Sequence, residues 1–108
     1  MDRNQQVSTV LIEIRMEMQA QGLWQSQPPE PAALMSREPF CVDTLDFTEW
    51  VQWLLLPRLE EMISRELPLP QNSEIQPMAE EVFKQLEEDT DRLLDLIGQL
   101  DKALRVHH

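Results

Sequence analysis

Val7, Val10, Leu11, Ile14 and Met18 recur at steps of three and four residues, the spacing that lines one face of a 3.6-residue helix. Gly22 follows where a C-terminal cap belongs. The pattern predicts helix 1 over about 3–21. Gln27-Pro28-Pro29-Glu30-Pro31 then removes three backbone donors within four positions and pushes each preceding residue out of the α region. This connector is expected to stay irregular to Asp43, with a single turn at 32–35 and Phe40 anchoring the loop on the core.

Asp46-Phe47-Thr48-Glu49 has the form of a capping box, and Leu45 and Trp50 stand at the hydrophobic-staple positions, so helix 2 starts here. Its first half is apolar nearly all round, broken only by Thr48, Glu49 and Gln52, as expected of a helix surrounded by others. Pro57 falls inside it and supplies no N–H to the carbonyl of Trp53, so the axis must bend if the helix runs on to about 66. Met62 and Ile63 continue the apolar pattern and Glu61 and Arg65 form an i,i+4 pair, which favours a kink over a break. Leu54 and Ile63 are expected to share one core.

Leu67-Pro68-Leu69-Pro70 and Gln71-Asn72-Ser73 make a second connector. Pro77 suits the first turn of helix 3, which carries Val82, Phe83 and Leu86. Glu87-Glu88-Asp89-Thr90 separates it softly from helix 4, defined over about 91–105 by Leu93, Leu96, Ile97, Leu100 and Leu104, with Gly98 its one weak helix former. With two glycines in the whole chain, tight hairpins have too few left-handed positions. The reading is an all-α four-helix bundle with a proline-kinked central helix 2, one domain over 1–108.

Charge changes the picture next. Twenty acidic against nine basic side chains give a net charge of −11, which opposes direct binding to nucleic acid or to an anionic membrane surface and favours a protein partner with a basic surface. The chain does not open like a signal peptide, and its densest apolar run, 53–57, is far too short to span a bilayer. The lone Cys41 makes no internal bridge and so points to a reducing compartment, the cytoplasm.

Candidate chemistry is thin. The carboxylate pairs Glu80/Glu81, Glu87/Glu88 and Asp91/Asp95 lack the Glu-x-x-His partners of a di-metal bundle. His107 and His108 read as a frayed end or a tag remnant. No catalytic residue, metal or cofactor is assigned. Glu49, the one acid set among aromatics, is explained by its cap. Trp50 and Trp53 point to one side of helix 2 with Pro57 below them, which reads first as core and second as the floor of a groove or partner site. Gln52 and Arg58 lie beside the most apolar part of the chain, so each must bond a connector backbone or face solvent at a rim. Phe40, Glu49, Trp50, Gln52, Trp53, Pro57 and Arg58 are the candidate groove or interface.

The run from Pro39 to Arg58, with its Pro-Phe, Asp-Thr, Glu-Trp-x-Gln-Trp and Pro-Arg signatures, followed by Leu67-Pro68-Leu69-Pro70 and Ile75-Gln76-Pro77, strongly resembles the YqcC-like family of small bacterial proteins. The resemblance implies an all-helical bundle, a dimer as one form, no catalytic residues or cofactor, and an association with a tRNA pseudouridine synthase. The leading expectation is therefore a non-enzymatic interaction module. The rivals are a small-ligand binder or enzyme with a pocket among Phe40, Trp50, Trp53 and Arg58, and a structural homodimer.

Overall fold

Helix α1 spans Arg3–Ala20 and buries Val7, Val10, Leu11, Ile14 and Met18. It ends where the sequence places the stop. Gly22 has φ +73°, the Leu23 N–H donates to the Met18 carbonyl at 2.8 Å and the Gly22 N–H to the Gln19 carbonyl at 3.2 Å. Those two bonds are the Schellman closure, and Met18 and Leu23 supply the apolar residues that accompany it. This computed structural model describes residues 3–38, 43–70 and 74–105. Phe40, Cys41, His107 and His108 lie outside the described residues, as do the expectations placed on them.

Helix α2 covers 47–64 and opens with the capping box: the Asp46 side chain accepts from the backbone of Glu49, and the Asp46 N–H donates to Glu49 Oε1 at 2.9 Å. Asp46→Ala is expected to cost about 1 kcal/mol, as for other lost caps, read as a lower denaturant midpoint.

Pro57 neither breaks α2 nor leaves it uniformly α. Residues Val51–Leu55 form a π turn, and α winding resumes over Leu56–Ser64 with Pro57 in its first turn. The Leu56 N–H reaches back to the Val51 carbonyl. Widening the turn gives the pyrrolidine ring room beside the preceding carbonyls, which an unbroken α-helix would not. It also resets the buried face. In an α-helix each four-residue step drifts by roughly 40°, whereas the wider turn absorbs part of that drift. Phe47, Val51, Leu55 and Leu59, each four apart, are therefore all buried, and Ile63 packs on the same core. Leu54, expected beside Ile63, instead lies half-buried at a groove.

At its far end α2 repeats the closure of α1 without a glycine. The Leu67 N–H donates to the Met62 carbonyl at 2.8 Å and the Glu66 N–H to the Ile63 carbonyl at 3.1 Å, with Glu66 at φ +55°. A left-handed position costs an L-residue roughly 1 kcal/mol or more. Glu66→Gly should therefore raise stability, by about 0.5 kcal/mol after the extra entropy of the unfolded glycine is set against it, measured as an increase in thermal midpoint.

Helix α3 (Gln76–Phe83) and helix α4 (Asp91–Leu104) complete the four. The heaviest burial falls on α4, where Leu93, Leu96, Ile97, Leu100 and Leu104 are at most 1% exposed. It packs along α1 and against α3. Gly98 leaves room for the end of the Gln76 side chain: a Cβ there would stand 2.4 Å from Gln76 Nε2, the amide that donates to the Leu94 carbonyl. Between α1 and α2, the 3-10 turn Ala33–Met35 is tied to the start of the next segment by Thr44 Oγ1 donating to the Ala33 carbonyl at 2.7 Å and by a Ser36–Asp43 hydrogen bond.

Candidate functional site

The π turn divides the residues singled out in the sequence between two faces of α2. On one face lies a groove of about 640 Å³. Trp50, Leu54, Leu55 and Leu59 from α2 line it with Ile75 and Leu104, and Glu38, Arg58 and Glu74 bring charge to it. Trp50 is half-buried, with its ring centroid 5.8 Å from that of Phe47. Phe47 in turn meets Phe83 edge-on at 5.8 Å, so the aromatic wall continues into the core. Arg58 is exposed and, among the described residues, takes no ion pair. Local sequence explains this: its i−4 neighbour is Leu54, its i+4 neighbour is Met62, and Glu61 is held by Arg65 at 3.0 Å. Pro57 is exposed beside it.

On the other face Glu49, Gln52 and Trp53 converge on one residue of the connector. Gln52 is 4% exposed, and its amide accepts from the Gln25 N–H at 2.8 Å while donating to the Gln25 carbonyl at 2.7 Å. Trp53 Nε1 donates to Gln25 Oε1 at 3.1 Å, and Gln25 Nε2 donates to Glu49 Oε2 at 3.3 Å. Trp50 and Trp53, three apart on one side of an ideal helix, thus serve different ends: Trp50 lines the groove, and Trp53 helps pin the chain leaving α1. Trp24, one residue before the clamp, stacks under Arg15 at 5.7 Å.

Two further polar residues went unread in the sequence because each acts across the fold. Asp101 is 2% exposed; its Oδ1 accepts from the Ile75 N–H at 3.0 Å and its Oδ2 from the Gln76 N–H at 2.8 Å. A carboxylate from α4 thereby supplies the start of α3 with the acceptors its free N–H groups require. Arg3 closes α4 in the opposite sense, donating from Nε to the Ala103 carbonyl at 3.0 Å and from Nη2 to the Leu104 carbonyl. No residue near in sequence signals either bond.

Chemically, the groove offers an apolar wall with one cation and two carboxylates, and the buried side chains of Gln52 and Asp101 are engaged with backbone. Among the described residues no group of three or more His, Cys, Asp or Glu stands where it would hold a metal ion. No helix of the described residues is long and apolar enough to cross a membrane.

Residues 6–103 match the model of the DUF446 family, described as tRNA pseudouridine synthase C. A Haemophilus influenzae protein named only as uncharacterized is 35% identical over 88 residues, which are 82% of this chain and 83% of that protein. The tRNA pseudouridine synthase C of Pectobacterium carotovorum subsp. carotovorum is 40% identical over 72 residues, 67% of this chain and only 19% of the synthase. The solution NMR structure of YqcC from Escherichia coli superposes with a TM-score of 0.82 at 25% identity, covering 100% of this chain and 97% of that one.

Proposed function

This chain belongs to the DUF446 family, and we propose that it is a protein-interaction module that serves a tRNA pseudouridine synthase by contacting the enzyme, in the cytoplasm. One observation carries the reading: in the Pectobacterium synthase, residues similar to this chain form 19% of a much longer protein named for that activity. A domain found within an enzyme in one organism and related to a separate small chain in another is what a partner of that enzyme looks like.

The electrostatics support a protein contact over an RNA contact. With a net charge of −11, the chain repels phosphate, and several of its cations are already spent on its own acids. Arg15 is held by Glu60 at 2.7 Å, Arg92 by Glu13 at 3.2 Å, Lys84 by Glu81 at 3.3 Å and Arg65 by Glu61 at 3.0 Å. Phosphate binding depends on free cations that displace counterions. The same field attracts a basic protein surface and speeds encounter with it.

The purified chain is expected to give no saturable gel shift with tRNA at micromolar concentration in physiological salt. It is expected to bind the synthase of its own genome, with an association rate roughly tenfold higher at low salt than at physiological salt. Saturable tRNA binding without the enzyme overturns the reading.

A further inference from the structure

Helix α3 is held to the molecule differently from the other three. It has eight residues, of which only Ala79 and Phe83 are buried, whereas α4 buries eight of its fourteen. A helix that short does not persist in water without tertiary contacts. It packs on α4, and Phe83 adds one edge-on ring contact with Phe47 of α2. Space is left on two sides of it. Glu74 and Ile75, at its start, line the groove of about 640 Å³ beside Trp50. Met78, Val82, Gln85 and Leu86 line a second hollow, of about 400 Å³, against Leu45 and Phe47. Side chains that face a hollow forfeit the dispersion contacts a filled core supplies.

The strongest tie is at the start of the helix. Its N-cap, Ile75, offers no side-chain acceptor, and Pro77 has no N–H to satisfy. Asp101 of α4 accepts from the N–H groups of both Ile75 and Gln76, and the Gln76 amide adds a long bond of 3.4 Å to the Leu94 carbonyl. Fixed points stand on either side. Leu69 is 5% exposed and the Pro70 carbonyl accepts from Arg3 Nη2 at 3.3 Å. Beyond Phe83, the residues Lys84, Gln85, Glu87 and Asp89 are exposed before Thr90 is buried again.

Parting α3 from α4 strands no buried charge. Asp101 and the two N–H groups all turn to water, so the cost is the net worth of those bonds and the modest apolar area of Ile75, Ala79 and Phe83. Parting α1 from α4 instead uncovers the core those two helices share. Few buried side chains and low contact density mark the elements that open below the global unfolding free energy.

We propose that α3 is a flap: it undocks from α4 as a unit while α1, α2 and α4 stay packed, and Asp101 is its latch. The open form removes one wall from both hollows and lays bare Ile75, Ala79 and Phe83, which lie four residues apart on one face. Opening is a property of the chain by itself and does not depend on what the chain binds.

Native-state hydrogen exchange of the full-length chain, followed by NMR in guanidinium below the unfolding transition, tests the flap. Relative to their intrinsic rates, the amides of Ala79 to Phe83 are expected to exchange at least about a hundredfold faster than the best-protected amides of α1 and α4. Their denaturant dependence should be less than about half as steep, because opening exposes only part of the surface. Asp101→Ala is expected to speed the α3 amides by about a further hundredfold, with α1 and α4 still folded. Equal protection and equal denaturant dependence across α1, α3 and α4 in the wild type mean that α3 leaves only when everything unfolds, and overturn the flap. Rapid α3 exchange that Asp101→Ala leaves unchanged overturns the latch. An Asp101→Ala chain that loses α1 and α4 together with α3 overturns the independence of the flap.

Discussion

Replacing Asp101 with alanine is expected to lower the unfolding free energy by about 3 kcal/mol, the combined effect of two lost hydrogen bonds to a charged group and of backbone N–H groups left without acceptors. The carboxylate is 2% exposed and divides its two oxygens between the N–H groups of Ile75 and Gln76. Its own helix does not explain it, since an acid in the last turn of α4 faces the negative end of that helix dipole. What it serves is the positive end of α3, whose first N–H groups it accepts from. Asp101→Asn is not an adequate substitute: one oxygen still accepts, but the new amide places a donor against a donor, and about 2 kcal/mol should still be lost. Denaturant melts of the two variants check the order. An asparagine variant as stable as the wild type would show that charge and bidentate acceptance do not matter here.

Gln52→Ala should cost about 2 kcal/mol, from the pair of bonds to Gln25 and the space left by the side chain. The more specific consequence is local. Once the amide is gone, the Gln25 N–H loses its 2.8 Å acceptor, and its hydrogen exchange should accelerate well beyond that of amides inside α1. Trp53, whose Nε1 is held by the same residue, should become more exposed, seen as a red shift of its emission in a background where Trp24 and Trp50 are replaced by phenylalanine. Gln52→Glu separates the two bonds, because it retains an acceptor for the Gln25 N–H but sets a charge against the Gln25 carbonyl. If Gln25 exchange is unchanged in Gln52→Ala, the clamp is not what holds the connector.

Local chemistry made much of this protein legible in its sequence. Val7 to Met18 at helical spacing, Gly22 after them, the Asp46/Glu49 box and the leucines of α4 act over a single turn or along a single face. Their physics, a cap bond or an apolar stripe, is complete without knowing what lies across the fold. The irregularity at Pro57 was legible for the same reason, since a missing N–H is a local fact. What relieves it was not. A π turn in place of a simple bend depends on which residues of α2 the other helices bury, and that choice turned Leu54 and Arg58 to a groove and parted Trp50 from Trp53. Asp101, Arg3 and Gln52 belong to the same class: each satisfies backbone groups 25 or more positions away in the chain. Periodicity tells which residues share a face. Only the packed chain decides which face is inside and which polar groups are spent holding it there.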